Sequence, residues 1–122
     1  RLSDAETSHV NALSKRRRDC GPIALDRVEK VADGLAAKLT EPINLSIVSS
    51  LVDGIILVSD RQIMDATLFL LEYAKVLVEP SAAASFAGLL ANSGRKGKSV
   101  AVMSGGNVSL QQIEDVRQAC RG

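Results

Sequence analysis

The stretch GIILVSDRQIMDATLFLLEYA, Gly54 to Ala74, changes its period in the middle. Ile55, Ile56, Leu57 and Val58 run without polar alternation, the pattern of a strand covered on both faces. Ser59 and Gln62 follow at capping-box spacing, where the hydroxyl accepts from a first-turn N–H and the glutamine side chain returns the bond. Behind them Ile63, Ala66, Leu70, Leu71 and Ala74 share one helical stripe. A buried strand running straight into a capped helix is therefore expected here.

Working outward, the same switch recurs. KVLVEP, Lys75 to Pro80, repeats the apolar run, and Pro80 opens a helix, PSAAASFAGLLA, whose small residues permit close packing. ANSGRKGK, residues 91–98, is the loop that ends it. SVAVMS, residues 99–104, predicts a third buried strand, and Ser109 caps a last helix with Leu110, Ile113 and Val116 inward. Upstream, NLSIVSSLV places Leu45, Val48 and Leu51 or Val52 at helical spacing. GPIALDRV, residues 21–28, reads as a turn into a short extended segment. At the start Ser3 and Glu6 have capping-box spacing and Val10 and Leu13 lie three apart, so a helix is expected over residues 3–19. Strands alternating with helices in one sheet run parallel, joined by right-handed crossovers. The expected fold class is α/β, three-layered with a mostly parallel sheet: one unit over residues 1–122, itself an incomplete part of a larger domain.

Composition narrows the function. Of the 122 residues 46% are hydrophobic and 24% charged, a globular rather than disordered balance. Aromatic residues make up 2%, so the core must come from Val, Ile, Leu and Ala, and rings on which bases could stack are scarce. A net charge of +1 steers the chain toward neither nucleic acid nor an anionic membrane. No apolar run reaches the length of a membrane span. Cys20 and Cys120 lack CxxC spacing, which points to a reducing cytoplasm. The chain opens on Arg1 rather than methionine, as expected of a cleavage product or a piece of something longer.

Ligands of such sheets bind beyond the carboxyl ends of the strands. Ser59, Glu79 and Ser104 each follow an apolar run directly, and only Ser104 is followed by Gly-Gly. Two readings stand side by side: Gly105 and Gly106 make a strand-to-helix turn, or they let a flat ligand approach. Neither a P-loop nor G-x-G-x-x-G is present, so a phosphate cradle finds no support.

Four segments, RVEKVADGLAAK, LVDGIILVSDRQIMDA, LLEYAKVLVEPSAAASFAGLL and GKSVAVMSGGN, together resemble the C-terminal part of the catalytic domain of threonine dehydratases. These are pyridoxal-phosphate enzymes of the tryptophan synthase β-chain fold type, related to serine racemases. The resemblance runs from about Asp26 to Asn107. It implies that Ser104 hydrogen-bonds the pyridine nitrogen of the cofactor, that Gly34 passes beside the ring, and that Glu79 lies near its working side. Gly105 and Asn107 complete the loop around the pyridine edge. Ala82 departs from the glycine usual at that place. Some relatives hold a cation, for which Glu6 matches the ligand glutamate, but the acidic partner six residues on is Ala12 here.

The family's cofactor-bearing lysine and glycine-rich phosphate loop have no counterpart. Lys15, Lys30, Lys38, Lys75, Lys96 and Lys98 all sit in polar or terminal contexts, not in the desolvated pocket that activates an amine. No catalytic residue is therefore assigned within the chain. For the complete enzyme the resemblance implies loss of water from a β-hydroxy amino acid, giving a 2-oxo acid and ammonia. A homo-oligomer is expected, because a truncated sheet leaves an unpaired edge and an uncovered apolar face. A non-catalytic module, an isolated subdomain or pseudo-enzyme that folds and self-associates, stays open beside the enzyme reading.

The remaining conspicuous residues have plainer readings. SKRRRD, residues 14–19, is a solvated helix end rather than a nucleic-acid patch. His9 has a surface or packing role, and Met64 and Met103 belong to the core.

Overall fold

A computed structural model describes residues 3–7, 42–94 and 96–120. Its elements in order are β1 (Ser3–Thr7), α1 (Pro42–Leu51), β2 (Gly54–Val58), α2 (Asp60–Phe69), α3 (Pro80–Ala91) and α4 (Leu110–Ala119). The two strands pair in parallel, with Ser3 opposite Gly54 and Thr7 opposite Val58. The architecture is α/β. Among the described residues no helix is long and apolar enough to cross a membrane.

The central expectation holds closely. Gly54–Val58 forms β2 and runs through Ser59 into α2. The Gln62 N–H donates to Ser59 Oγ at 3.2 Å, and the Ser59 N–H donates to Gln62 Oε1 at 2.8 Å. Two donors of the first turn are thus satisfied locally. Pro80 opens α3, and Ser109 caps α4 with a box of its own to Gln112.

The core lies where α2 and α3 meet. Val58, Ile63, Ala66, Leu70, Val78, Ala82, Ala83, Ala84 and Ala87 are buried together, with Ile56, Phe86 and Met103 packed against them. Alanines along α3 let the two helices approach closely, as their small size suggested. Thr67 is the buried polar residue of the described set, and its hydroxyl donates to the Ile63 carbonyl at 2.9 Å.

Several expectations need correction. The predicted helix at the start is instead β1 over Ser3–Thr7; the rest of that segment, with His9 and the basic cluster, lies outside the described residues, as does GPIALDRV. A five-residue parallel ladder to β2 wins over a local cap, because it satisfies backbone groups along the whole segment. β2 is not covered on both faces. Ile56 and Val58 meet the core, while Leu57 on the opposite face is 43% exposed.

The stripe of α2 also fades. Beyond Phe69 the helix widens into a turn of π type over Leu70–Ala74, which swings Leu71 and Ala74 off the core. Lys75, at φ 58°, ends it in the left-handed conformation. In α4, Leu110 is 89% exposed rather than inward. That helix meets α2 through its second half, where Val116 is buried and the Cys120 thiol donates to Asp65 Oδ1 at 3.6 Å. Burial first, then the hydrogen bond and charge of Asp65, hold that thiol above the ordinary cysteine range, with Arg61 opposing in part.

The other two apolar runs take no regular strand structure. Val76, Leu77, Val100 and Val102 are exposed, Val100 at 89%. A strand is defined by its ladder, and the described residues give these runs one shared rung, from the Glu79 N–H to the Gly105 carbonyl at 3.2 Å. Burial still alternates from Ala101 to Gly106, half-buried then exposed, the period of an extended chain with one covered face.

Candidate functional site

That single rung joins the ends of the two runs, and three of the candidate residues meet there. Val78 and Pro80 are buried, so Glu79 between them is fixed at the start of α3. Its carbonyl accepts from the N–H groups of Ala82 and Ala83, each at 3.0 Å. Its carboxylate makes no cap to the helix backbone. Oε2 accepts from the Asn107 N–H at 3.2 Å, and Oε1 accepts from the Ser81 hydroxyl.

Gly105 lies directly against this carboxylate. A Cβ added there would stand 2.5 Å from Glu79 Cδ and Oε1 and 2.9 Å from Cγ, closer than real Cβ atoms come. Gly106 is different, since a Cβ there would meet the Leu77 carbonyl at an ordinary 3.7 Å. Among the described residues the positive-φ glycine is Gly97, so neither Gly105 nor Gly106 sits in the left-handed region. Close approach, not turn conformation, is what demands glycine at 105. The approaching group is Glu79 of the same chain.

Ser104 precedes this loop and is exposed. Met103 packs inward against the core, and in an extended chain the next side chain points the other way. Among the described residues the Ser104 hydroxyl has no hydrogen-bond partner. Beyond it the Val108 N–H donates to the Gly106 carbonyl at 2.9 Å, and the chain enters α4 through Ser109.

The structure thus brings Glu79, Gly105 and Asn107 together, with Ser104 at their border. Gly34 lies outside the described residues. Glu6 lies in β1 opposite Leu57, and among the described residues no group of three His, Cys, Asp or Glu could hold a metal ion. Ser81 is a participant that sequence reasoning missed. Its signal was available: a hydroxyl two residues after an acid, in the first turn of a helix.

Ser104 leaves a neutral hydroxyl at the end of an extended run, a group able to donate to or accept from an aromatic ring nitrogen. Lys75, Lys96 and Lys98 are all exposed, so no described lysine has the buried setting of a nucleophilic amine. Ser104 is the group that a pyridoxal ring nitrogen would meet here, and the described residues supply neither a buried lysine nor a phosphate loop.

Comparison with known proteins identifies the family. The family model for pyridoxal-phosphate dependent enzymes matches residues 2–105, through Ser104 and Gly105. The L-threonine ammonia-lyase of Thermotoga maritima is 40% identical over 95 residues, 75% of this chain and 24% of that protein. A serine racemase of Arabidopsis thaliana is 36% identical over 100 residues, 76% of this chain and 30% of that protein. Among solved structures, maize serine racemase superposes with a TM-score of 0.80 at 28% identity, covering 98% of this chain and 39% of that one. Processed threonine deaminase isoform 2 of Solanum lycopersicum shares the fold, with a TM-score of 0.90 at 23% identity over 97% of this chain and 36% of that one. The chain spans 24% and 30% of the length of these two curated relatives. The chain belongs to the pyridoxal-phosphate dependent enzyme family.

Proposed function

We propose that this chain is one wall of the active site of a pyridoxal-phosphate dependent dehydratase acting on L-threonine or L-serine. The observation that carries the reading is the 40% identity to a threonine ammonia-lyase, together with a family match that runs through Ser104. When bound, the cofactor supplies an electron-withdrawing ring that makes the α-carbon of the amino acid acidic. Ser104 offers its hydroxyl to the ring nitrogen. A hydroxyl brings no negative charge, so it would not hold a proton on that nitrogen, whereas a carboxylate there would. By the family resemblance Gly34 would border the ring and Glu79 would lie near its working side, while Gly105 and Asn107, which Glu79 contacts, would shape the nitrogen edge. The lysine and the phosphate loop come from the rest of the protein, and no step is assigned to a cation.

In the same reading the chain is part of a three-layer domain with a mostly parallel sheet. Support comes from the parallel β1–β2 pair under α3 and from the alternating burial at residues 101–106.

The full-length protein, loaded with cofactor, is expected to release a 2-oxo acid and ammonia from threonine or serine. Ser104→Asp places a carboxylate at the ring nitrogen and is expected to divert turnover from elimination toward transamination or racemisation, read as the ratio of 2-oxo acid to the other products. An enzyme that eliminates from neither amino acid overturns the substrate class. An unchanged product ratio in Ser104→Asp removes Ser104 from the ring.

Self-association belongs to the same proposal. Leu57, Leu77, Val100, Val102 and Leu110 are exposed apolar side chains that a partner copy would cover. This chain by itself is expected to sediment as a dimer or larger. A monodisperse monomer at high concentration contradicts that.

A further inference from the structure

Three helices of this chain have a described N-cap, and one is anomalous. Ser59 and Ser109 each close a full capping box. Glu79 occupies the same position on α3 and makes no side-chain cap. Glutamate is not a favoured N-cap residue; serine, threonine, aspartate and asparagine are. Its carboxylate instead reaches a residue 28 positions away in sequence, the Asn107 N–H at 3.2 Å. Its backbone N–H binds the same loop two residues earlier, at the Gly105 carbonyl, also at 3.2 Å. The Ser81 hydroxyl steadies the other carboxylate oxygen. Gly105, without a Cβ, lets the acid lie flat against the chain between those two contacts.

We propose that Glu79 is a positioning residue: a two-point clamp on residues 105–107 that sets the direction in which Ser104 presents its hydroxyl. The backbone bond fixes where the extended run ends, and the carboxylate bond fixes how the chain leaves it. Two attachments spanning three residues remove the rotation that one alone would leave. Because Val78 and Pro80 are buried on either side of Glu79, the clamp is anchored in the core, not on a mobile surface. Met103, packed on that same core, holds the near side of Ser104. Glu79 thus acts through Ser104 and need not touch the ring.

The proposal rests on Ser104 facing the ring nitrogen, and the test separates the two ideas. The probes are pyridoxal phosphate and its analogue with C–H in place of the ring nitrogen, each titrated into the cofactor-free full-length enzyme. With one neutral hydrogen bond at stake, the wild type is expected to prefer the natural cofactor by about three- to tenfold. Ser104→Ala should erase that preference. Glu79→Ala should erase it too, bringing the two affinities within about 1.5-fold, although Ser104 is intact. A purely structural role would weaken both ligands by one factor and leave their ratio at the wild-type value, and that result overturns the clamp while sparing Ser104. A wild type without any preference overturns the Ser104 reading and the clamp with it. Where Glu79→Ala does not fold, Glu79→Gln keeps the volume and removes one acceptor. A ratio below wild type then supports the proposal, and an unchanged ratio overturns it.

Discussion

Gly105→Ala is expected to destabilise the fold by about 1–3 kcal/mol, the usual cost of forcing a methyl into filled space, whereas Gly106→Ala is not. The added carbon at 105 would stand 2.5 Å from Glu79 Cδ and Oε1. A free glutamate would swing aside, but this one is held by the Ser81 hydroxyl and the Asn107 N–H. Moving it sacrifices both bonds, each worth about 1 kcal/mol net and more when the acceptor is charged. At 106 the nearest atom is the Leu77 carbonyl at 3.7 Å, and the backbone there is open to any residue. Alanine at 106 also narrows the unfolded ensemble, so Gly106→Ala should be neutral or stabilising by up to about 1 kcal/mol. The two variants are compared by their urea unfolding midpoints. Adding Glu79→Ala removes the obstacle, so the cost of Gly105→Ala should shrink by about 1 kcal/mol or more in that background, the coupling expected of residues in contact. Equal midpoints for the two glycine variants would contradict the close approach.

That contrast marks where sequence reading stops. Ser59 with Gln62 and Ser3 with Glu6 carry the same spacing, and one is a capping box while the other pair lies in a strand. A cap is decided by four consecutive residues. A strand is decided by its partner, and β1 finds β2 about fifty residues away. The runs at 75–80 and 99–104 were apolar enough to announce burial, but burial and pairing are separate facts. Apolar pattern reports what a folded protein will cover, and the ladder reports which neighbour is at hand. This chain spans 24% and 30% of the length of the threonine ammonia-lyase and the serine racemase it matches, and Val100 and Val102 are exposed where the pattern expects them covered. Motif resemblance marked Glu79, Gly105 and Asn107 as positions of interest, and the structure places the three in contact. Their mutual geometry was not, since no spacing rule brings Glu79 to Asn107 across 28 residues. The clamp also changes the meaning of Gly-Gly: one glycine answers to an acid of the same chain, the other to nothing within close range.

Ile63→Ala should be the most damaging single substitution in the described core, at about 2–5 kcal/mol, the range for deleting a buried aliphatic side chain and leaving a cavity. Ile63 is 0% exposed and lies one turn into α2, against Val58 and the alanines of α3. Those alanines have no longer side chain to fill the gap, so collapse onto the lost volume is poor and the cost belongs toward the upper part of that range. Ile47 on α1 is the matched control. It is 49% exposed, so Ile47→Ala should cost less than about 1 kcal/mol. The comparison reaches the site as well as the stability, because Val78 and Met103, which pack with Ile63, immediately precede Glu79 and Ser104. A cavity at 63 loosens both arms of the clamp at their shared anchor. Ile63→Ala is therefore expected to weaken cofactor binding in the full-length protein even under conditions where it stays folded, while Ile47→Ala leaves binding at the wild-type value. Circular dichroism under urea reads the first effect and cofactor titration the second. An Ile63→Ala variant that unfolds at the wild-type midpoint and binds cofactor as tightly would mean that this cluster supports neither the fold nor the loop that follows Met103.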